Sequence, residues 1–144
     1  MKKMKQKGAG LARSSSLASL AEIMKILLSP GGCPWDRKQT HSTLLKYLKE
    51  ESGEVSRAVR KKDWGNLKEE LGDVLLQVVF HSALAERDGR FNLSDVIRTV
   101  NAKMVRRHPH VFGGGKLSTP AQVLTLWAKI KKKEKGRAAR GKKA

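Results

Sequence analysis

The residues best placed to do chemistry in this chain are its acids. Glu50-Glu51-Ser52-Gly53-Glu54 and Glu70-Leu71-Gly72-Asp73 each set carboxylates three residues apart. On a helix that spacing puts both groups on neighbouring lines of one face, about 4.5 Å apart along the axis. Two antiparallel helices with a short connection can then bring the pairs together. An all-oxygen donor set suits a hard cation, Mg²⁺ or Mn²⁺. A di-iron bundle site places a histidine three residues after a glutamate, and neither Glu51 nor Glu70 has one. Metal held by helical acids in a chain rich in Lys and Arg points to a phosphate-bearing substrate, whose oxygens the metal and the cations share.

Two details sharpen this reading. In helical projection Glu51 falls about 60° from the centre of the second helix's apolar stripe and Glu54 a further 60° round, whereas Glu50 points almost directly away from it. Gly53 and Gly72 each precede the last acid of their pair. A helix-interior glycine costs about 1 kcal/mol relative to alanine, so two at matching places suggest close approach by backbone or ligand. The competing reading is a solvated face, with Glu50, Glu51, Glu54, Glu69 and Glu70 pairing with Lys46, Lys49, Lys68 and Arg57.

The elements that must position these acids are helical. Leu17, Leu20, Ala21, Met24, Leu27 and Leu28 recur with helical period, and Ser29-Pro30-Gly31-Gly32 ends that run. After a loop through Cys33-Pro34-Trp35-Asp36, a second helix spans about 43–60, with Leu44, Leu45, Leu48, Val55 and Val59 on one face. Asp63 is the expected N-cap of a third, about 64–86. That helix carries two stripes: Trp64, Leu67, Leu71, Val74, Leu75 and Val78, and nearly opposite them Leu76, Phe80 and Leu84. A helix apolar on both sides needs partners on both sides, so it belongs at a bundle centre or a subunit interface. A fourth helix begins at Asn92 or Ser94 and stops at His108-Pro109-His110. Thr119-Pro120 starts a last one through Trp127 and Ile130. Nothing alternates as a strand does, so the fold class is all-α, a helical bundle.

Composition sets the limits. With 144 residues, 39% of them apolar, the chain can build one core. Its 31 Lys and Arg against 13 Asp and Glu give a net charge of +18, but that charge is concentrated at the ends. Residues 1–15 hold five cations and no acid, and residues 129–144 hold nine cations and one acid. The expected division is a disordered basic arm over 1–15, a folded domain over 16–134 and a basic tail over 135–144. One cysteine excludes an internal disulfide. No apolar run approaches the ~20 residues that span a bilayer, and none follows the basic start as a signal peptide would. A cytoplasmic protein without membrane contact is expected.

Other motifs read as structural. His108 and His110 flank a proline and lack further ligands at zinc spacing. Gly113-Gly114-Gly115-Lys116 fails the P-loop pattern and follows no strand. Cys33 lies beside Pro34 rather than a base, and Trp35 is most simply a loop anchor.

With these residues in hand, the pattern EESGE, fifteen intervening residues and ELGD resembles the EExxE…ExxD signature of the all-α nucleoside triphosphate pyrophosphohydrolases. The flanking segments are similar to the MazG branch: Gly32-Cys33-Pro34-Trp35-Asp36 with Gln39-Thr40, then Asp73 to Phe80, Gly89-Arg90-Phe91, Arg106-Arg107-His108-Pro109-His110-Val111-Phe112, and Trp127 with Ile130-Lys131. The resemblance covers about 17–134. It implies a homodimer, Mg²⁺ dependence and hydrolysis of an NTP or dNTP to the monophosphate and pyrophosphate. It further implies that Glu51, Glu54, Glu70 and Asp73 are metal ligands, with Glu50 supporting them or orienting water. Lys103, Arg106 and Arg107 are candidates for the triphosphate, and Trp127 for stacking on the base. The basic tails have no counterpart in the motif. They keep open a rival reading, a basic helical nucleic-acid-binding protein with a non-catalytic acidic cluster, or nonspecific nucleic-acid contact beside the enzyme activity.

Overall fold

The structure, a computed structural model, describes residues 1–143. Among them there are helices and no strands: α1 Lys2–Arg13, α2 Leu17–Leu28, α3 Pro34–Lys38, α4 His41–Lys61, α5 Trp64–Arg87, α6 Leu93–Arg107, α7 Pro109–Phe112 and α8 Pro120–Lys143. No helix is long and apolar enough to cross a membrane. The chain divides into two compact units, Met1–Val96 and Ile97–Ala144, where one domain over 16–134 was expected.

Within the first unit, α4 and α5 form the main pair, and α2 packs on α5. Their pairing follows from a tight turn. The amide of Lys62 donates to the carbonyls of Ala58 and Val59, and Lys62 adopts a left-handed conformation at φ 55°. Asp63 then caps α5 by accepting from the Asn66 amide, as its sequence position anticipates. The start of α4 is fixed by a reciprocal cap between Thr40 and Thr43. At the end of α2, the Cys33 amide reaches the Leu27 carbonyl at 2.8 Å. A Cβ on Gly32 would lie 2.3 Å from that same carbonyl oxygen, so only glycine fits the turn.

Met24, Leu44, Val79, Phe80 and Leu84 make the core, with Leu20, Ala21, Leu27, Leu28, Tyr47, Leu76, Ala83 and Leu93 against them. Of the two stripes of α5, this is the Leu76/Phe80/Leu84 side. Most of the other stripe stays in solvent: Trp64 is 66% exposed and Leu71 52%, while Leu67 and Val74 are half-buried. On α4, Leu44 is buried but Leu45 and Val59 are exposed, so the stripe expected there is only partly used. The imidazoles of His41 and His81 stack, with Nδ1 to Nδ1 at 2.7 Å, tying the start of α4 to the later half of α5.

The N-terminal end departs from expectation. Residues 2–13 are helix, not a disordered arm. Lys, Gln, Ala and Leu are good helix formers, and Lys7 ties α1 to Glu22 of α2 at 2.6 Å, although α1 buries no side chain. The basic tail over 135–144 is likewise a continuation of α8 as far as Lys143; its last residue lies outside the described residues.

In the second unit, Glu134 of α8 receives both guanidinium groups at the end of α6, Arg106 Nε at 2.8 Å and Arg107 Nη2 at 2.9 Å. Two arginines hold its carboxyl down to about 2, so the pair stays ionised across the neutral range. The Trp127 indole donates to the Arg107 carbonyl at 2.8 Å and meets the His108 ring edge-on. A cavity of about 540 Å³ lies among Pro109, His110, Leu117, Gln122, Leu126 and Lys129.

Candidate metal centre

Glu51 on α4 and Glu70 and Asp73 on α5 converge. Each offers one carboxylate oxygen, and these oxygens all lie within 4.8 Å of one another. The α4–α5 turn produces this, because antiparallel helices bring residues similar distances before and after the turn side by side. Partial burial raises the Glu51 carboxyl above its ordinary value, and the charges of Asp73, Glu70 and Glu50 push it the same way. Three like charges at this spacing are unfavourable without a counter-ion. Oxygen-only donors and mutual repulsion together fit a hard divalent cation.

The fourth expected ligand is elsewhere. Glu54 takes a two-pronged ion pair from Arg57, with Nε to Oε2 at 3.1 Å and Nη2 to Oε1 as the second contact. That hydrogen bonding lowers the Glu54 carboxyl. The solvated-face reading therefore describes Glu54, while convergence describes Glu51, Glu70 and Asp73. Glu50 is exposed, as its helical projection requires. The space above Gly72 is open, and above Gly53 only the Arg57 guanidinium comes near, at 3.8 Å. No backbone of the described residues makes the close approach that these glycines suggested.

The cationic candidates belong to the second unit. Lys103 is half-buried, and Arg106 and Arg107 are held by Glu134. Trp127 has used its indole N–H on Arg107. Sequence reasoning passed over the role of Glu134, although as the only acid among nine terminal cations it stood out. It also passed over His41 and His81, whose 40-residue separation carries no periodic signal.

Comparison with known proteins places the chain among relatives. The family model described as the MazG nucleotide pyrophosphohydrolase domain matches residues 39–112, which include every residue of the acidic cluster. The nucleoside triphosphate pyrophosphohydrolase/pyrophosphatase MazG of Thermotoga maritima is 52% identical over 118 residues, 82% of this chain and 45% of that protein. The nucleoside triphosphate pyrophosphohydrolase of Escherichia coli K12 is 41% identical over 121 residues, 83% of this chain and 46% of that protein. The chain thus spans under half the length of these curated relatives. A crystal structure of a mazG-related protein from Thermotoga maritima superposes with a TM-score of 0.68 at 36% identity, covering 81% of this chain and 99% of that one. The chain belongs to the MazG nucleotide pyrophosphohydrolase domain family.

Proposed function

We propose that this chain hydrolyses a nucleoside or deoxynucleoside triphosphate to the monophosphate and pyrophosphate, with Mg²⁺ or Mn²⁺ held by Glu51, Glu70 and Asp73. The observation that carries the reading is the convergence of these three carboxylates on adjacent helices inside the family-matched segment. A hard cation bound there supplies charge neutralisation to a polyphosphate and acidifies water. Glu54 joins the ligand set by exchanging Arg57 for the cation. Glu50, whose charge already acts on Glu51, orients the attacking water. The water oxygen bonds to the α-phosphorus, the α–β anhydride bond breaks, and the pair of electrons leaves with pyrophosphate.

Lys103, Arg106 and Arg107 are read as the groups that receive phosphate charge. Glu134 fixes both guanidiniums, so their orientation is set before substrate arrives. Trp127 is read as stacking on the base. The exposed stripe of α5 supports a homodimer, and a nucleotide substrate supports a cytoplasmic location.

A panel of standard, deoxy and oxidised nucleoside triphosphates, incubated with Mg²⁺ and resolved by chromatography, tests the reading. Monophosphate and pyrophosphate are the expected products. Asp73→Asn and Glu70→Gln should each lower turnover at least 100-fold while retaining full helicity by circular dichroism. Undiminished wild-type turnover in excess EDTA would sink it.

A further inference from the structure

The last helix bears a surface that the hydrolase reading does not use. From Lys129 to Lys143 it holds nine Lys and Arg and one acid, Glu134. Each residue of an α-helix turns by 100°, so the numbering fixes the direction of every side chain. Val123, Trp127, Ile130 and Glu134 fall within about 60° of one another, and all four are half-buried. They form the inner face, where Glu134 meets Arg106 and Arg107 and Trp127 meets the Arg107 backbone.

None of the nine cations lies on that face. Lys129, Lys132, Lys133, Arg137, Arg140 and Lys143 gather in an arc of about 140° on the outer side, and every one is exposed. Lys131, Lys135 and Lys142 form a second, narrower row. Among the described residues no carboxylate pairs with any of the nine. The one acid of the segment is already committed to the two arginines of α6. At 1.5 Å per residue the six-cation row spans about 21 Å, a mean step of about 4 Å between charges. Phosphates along one strand of a duplex repeat every ~3.4 Å.

We propose that the outer face of α8, from Lys129 to Lys143, binds the phosphate backbone of nucleic acid without regard to sequence. A lipid surface fits less well. Helices that lie on membranes set large apolar side chains opposite their cations, and the residues between Lys131 and Lys143 that are not basic are Glu134, Gly136, Ala138, Ala139 and Gly141. No apolar side chain larger than alanine is there to insert. The surface also lies outside the family-matched segment, so it stands on its own residues.

The test is fluorescence anisotropy of the full chain with a labelled random-sequence 20-base-pair duplex, between 50 and 300 mM KCl. Six phosphate contacts predict a slope of log K against log salt near −5. Changing Lys132, Lys133, Arg137 and Arg140 together to Gln should cut the slope by about 3 to 4 and weaken binding at least 100-fold at 50 mM. Helicity should hold, because Gln is nearly as good a helix former as Lys or Arg. Changing Lys2, Lys3, Lys5 and Lys7 of α1 to Gln removes the same charge and should shift the slope by less than 1. Equal losses in the two variants would mean that net charge, not this face, governs binding, and would overturn the proposal. Tighter binding to phosphatidylserine vesicles than to the duplex at the same salt would overturn it in favour of a membrane.

Discussion

Glu51 is where the energetics of the acidic cluster concentrate, since it is partly buried and faces Asp73 and Glu70 together. Changing it to Gln keeps the shape and removes one of three mutually repelling charges. In metal-free buffer with EDTA the Glu51→Gln variant should therefore melt higher than wild type, by a few degrees for about 1 kcal/mol of relief. Millimolar Mg²⁺ should raise the wild-type Tm by binding the native state and leave the variant almost unmoved. Scanning calorimetry with and without Mg²⁺ reads both shifts, and a variant that melts below wild type in EDTA would contradict a repulsive cluster. Glu54 shows why residue types alone could not complete the site. It stands three residues from Glu51 and three from Arg57, and helical spacing allows either neighbour; Arg57 takes it.

At the scale of elements, the α4–α5 turn decides whether the acids meet at all. Lys62 occupies a left-handed conformation that costs a residue with a Cβ about 1–2 kcal/mol, part of which glycine gives back as lost chain entropy. Lys62→Gly should stabilise the protein by about 0.5–1 kcal/mol in urea unfolding without altering turnover, and destabilisation would show that the Lys62 side chain contributes more than its backbone costs. The helices themselves were legible: α2 spans the residues its period marks, Asp63 caps α5, and Pro109 closes α6. The first helix was not, because its lysines and glycines carry no apolar period. Its helicity rests on propensity and one ion pair to α2, neither of which leaves a repeating pattern. The His41–His81 contact was equally invisible, as it depends on how far α4 and α5 overlap rather than on the pattern within either.

For the molecule as a whole, the undecided question in the sequence was which stripe of α5 faces inward. Both have helical period and similar residues, so periodicity could announce two partners but not identify them. The structure fills one side with α2 and α4 and leaves Trp64, Leu71, Leu75 and Val78 in water; Leu45 and Val59 of α4 are exposed as well. Large apolar side chains in such number are uncommon on a monomer's surface. The wild-type chain should therefore sediment as a dimer at micromolar concentration. Leu71→Arg combined with Leu75→Glu should yield a monomer of unchanged helicity, because neither side chain belongs to the core that Leu84 and Phe80 build. Sedimentation equilibrium distinguishes the outcomes: a wild-type chain that remains monomeric at 100 µM, or a double variant that still dimerises, would remove this face from the interface and with it the reason for the second stripe.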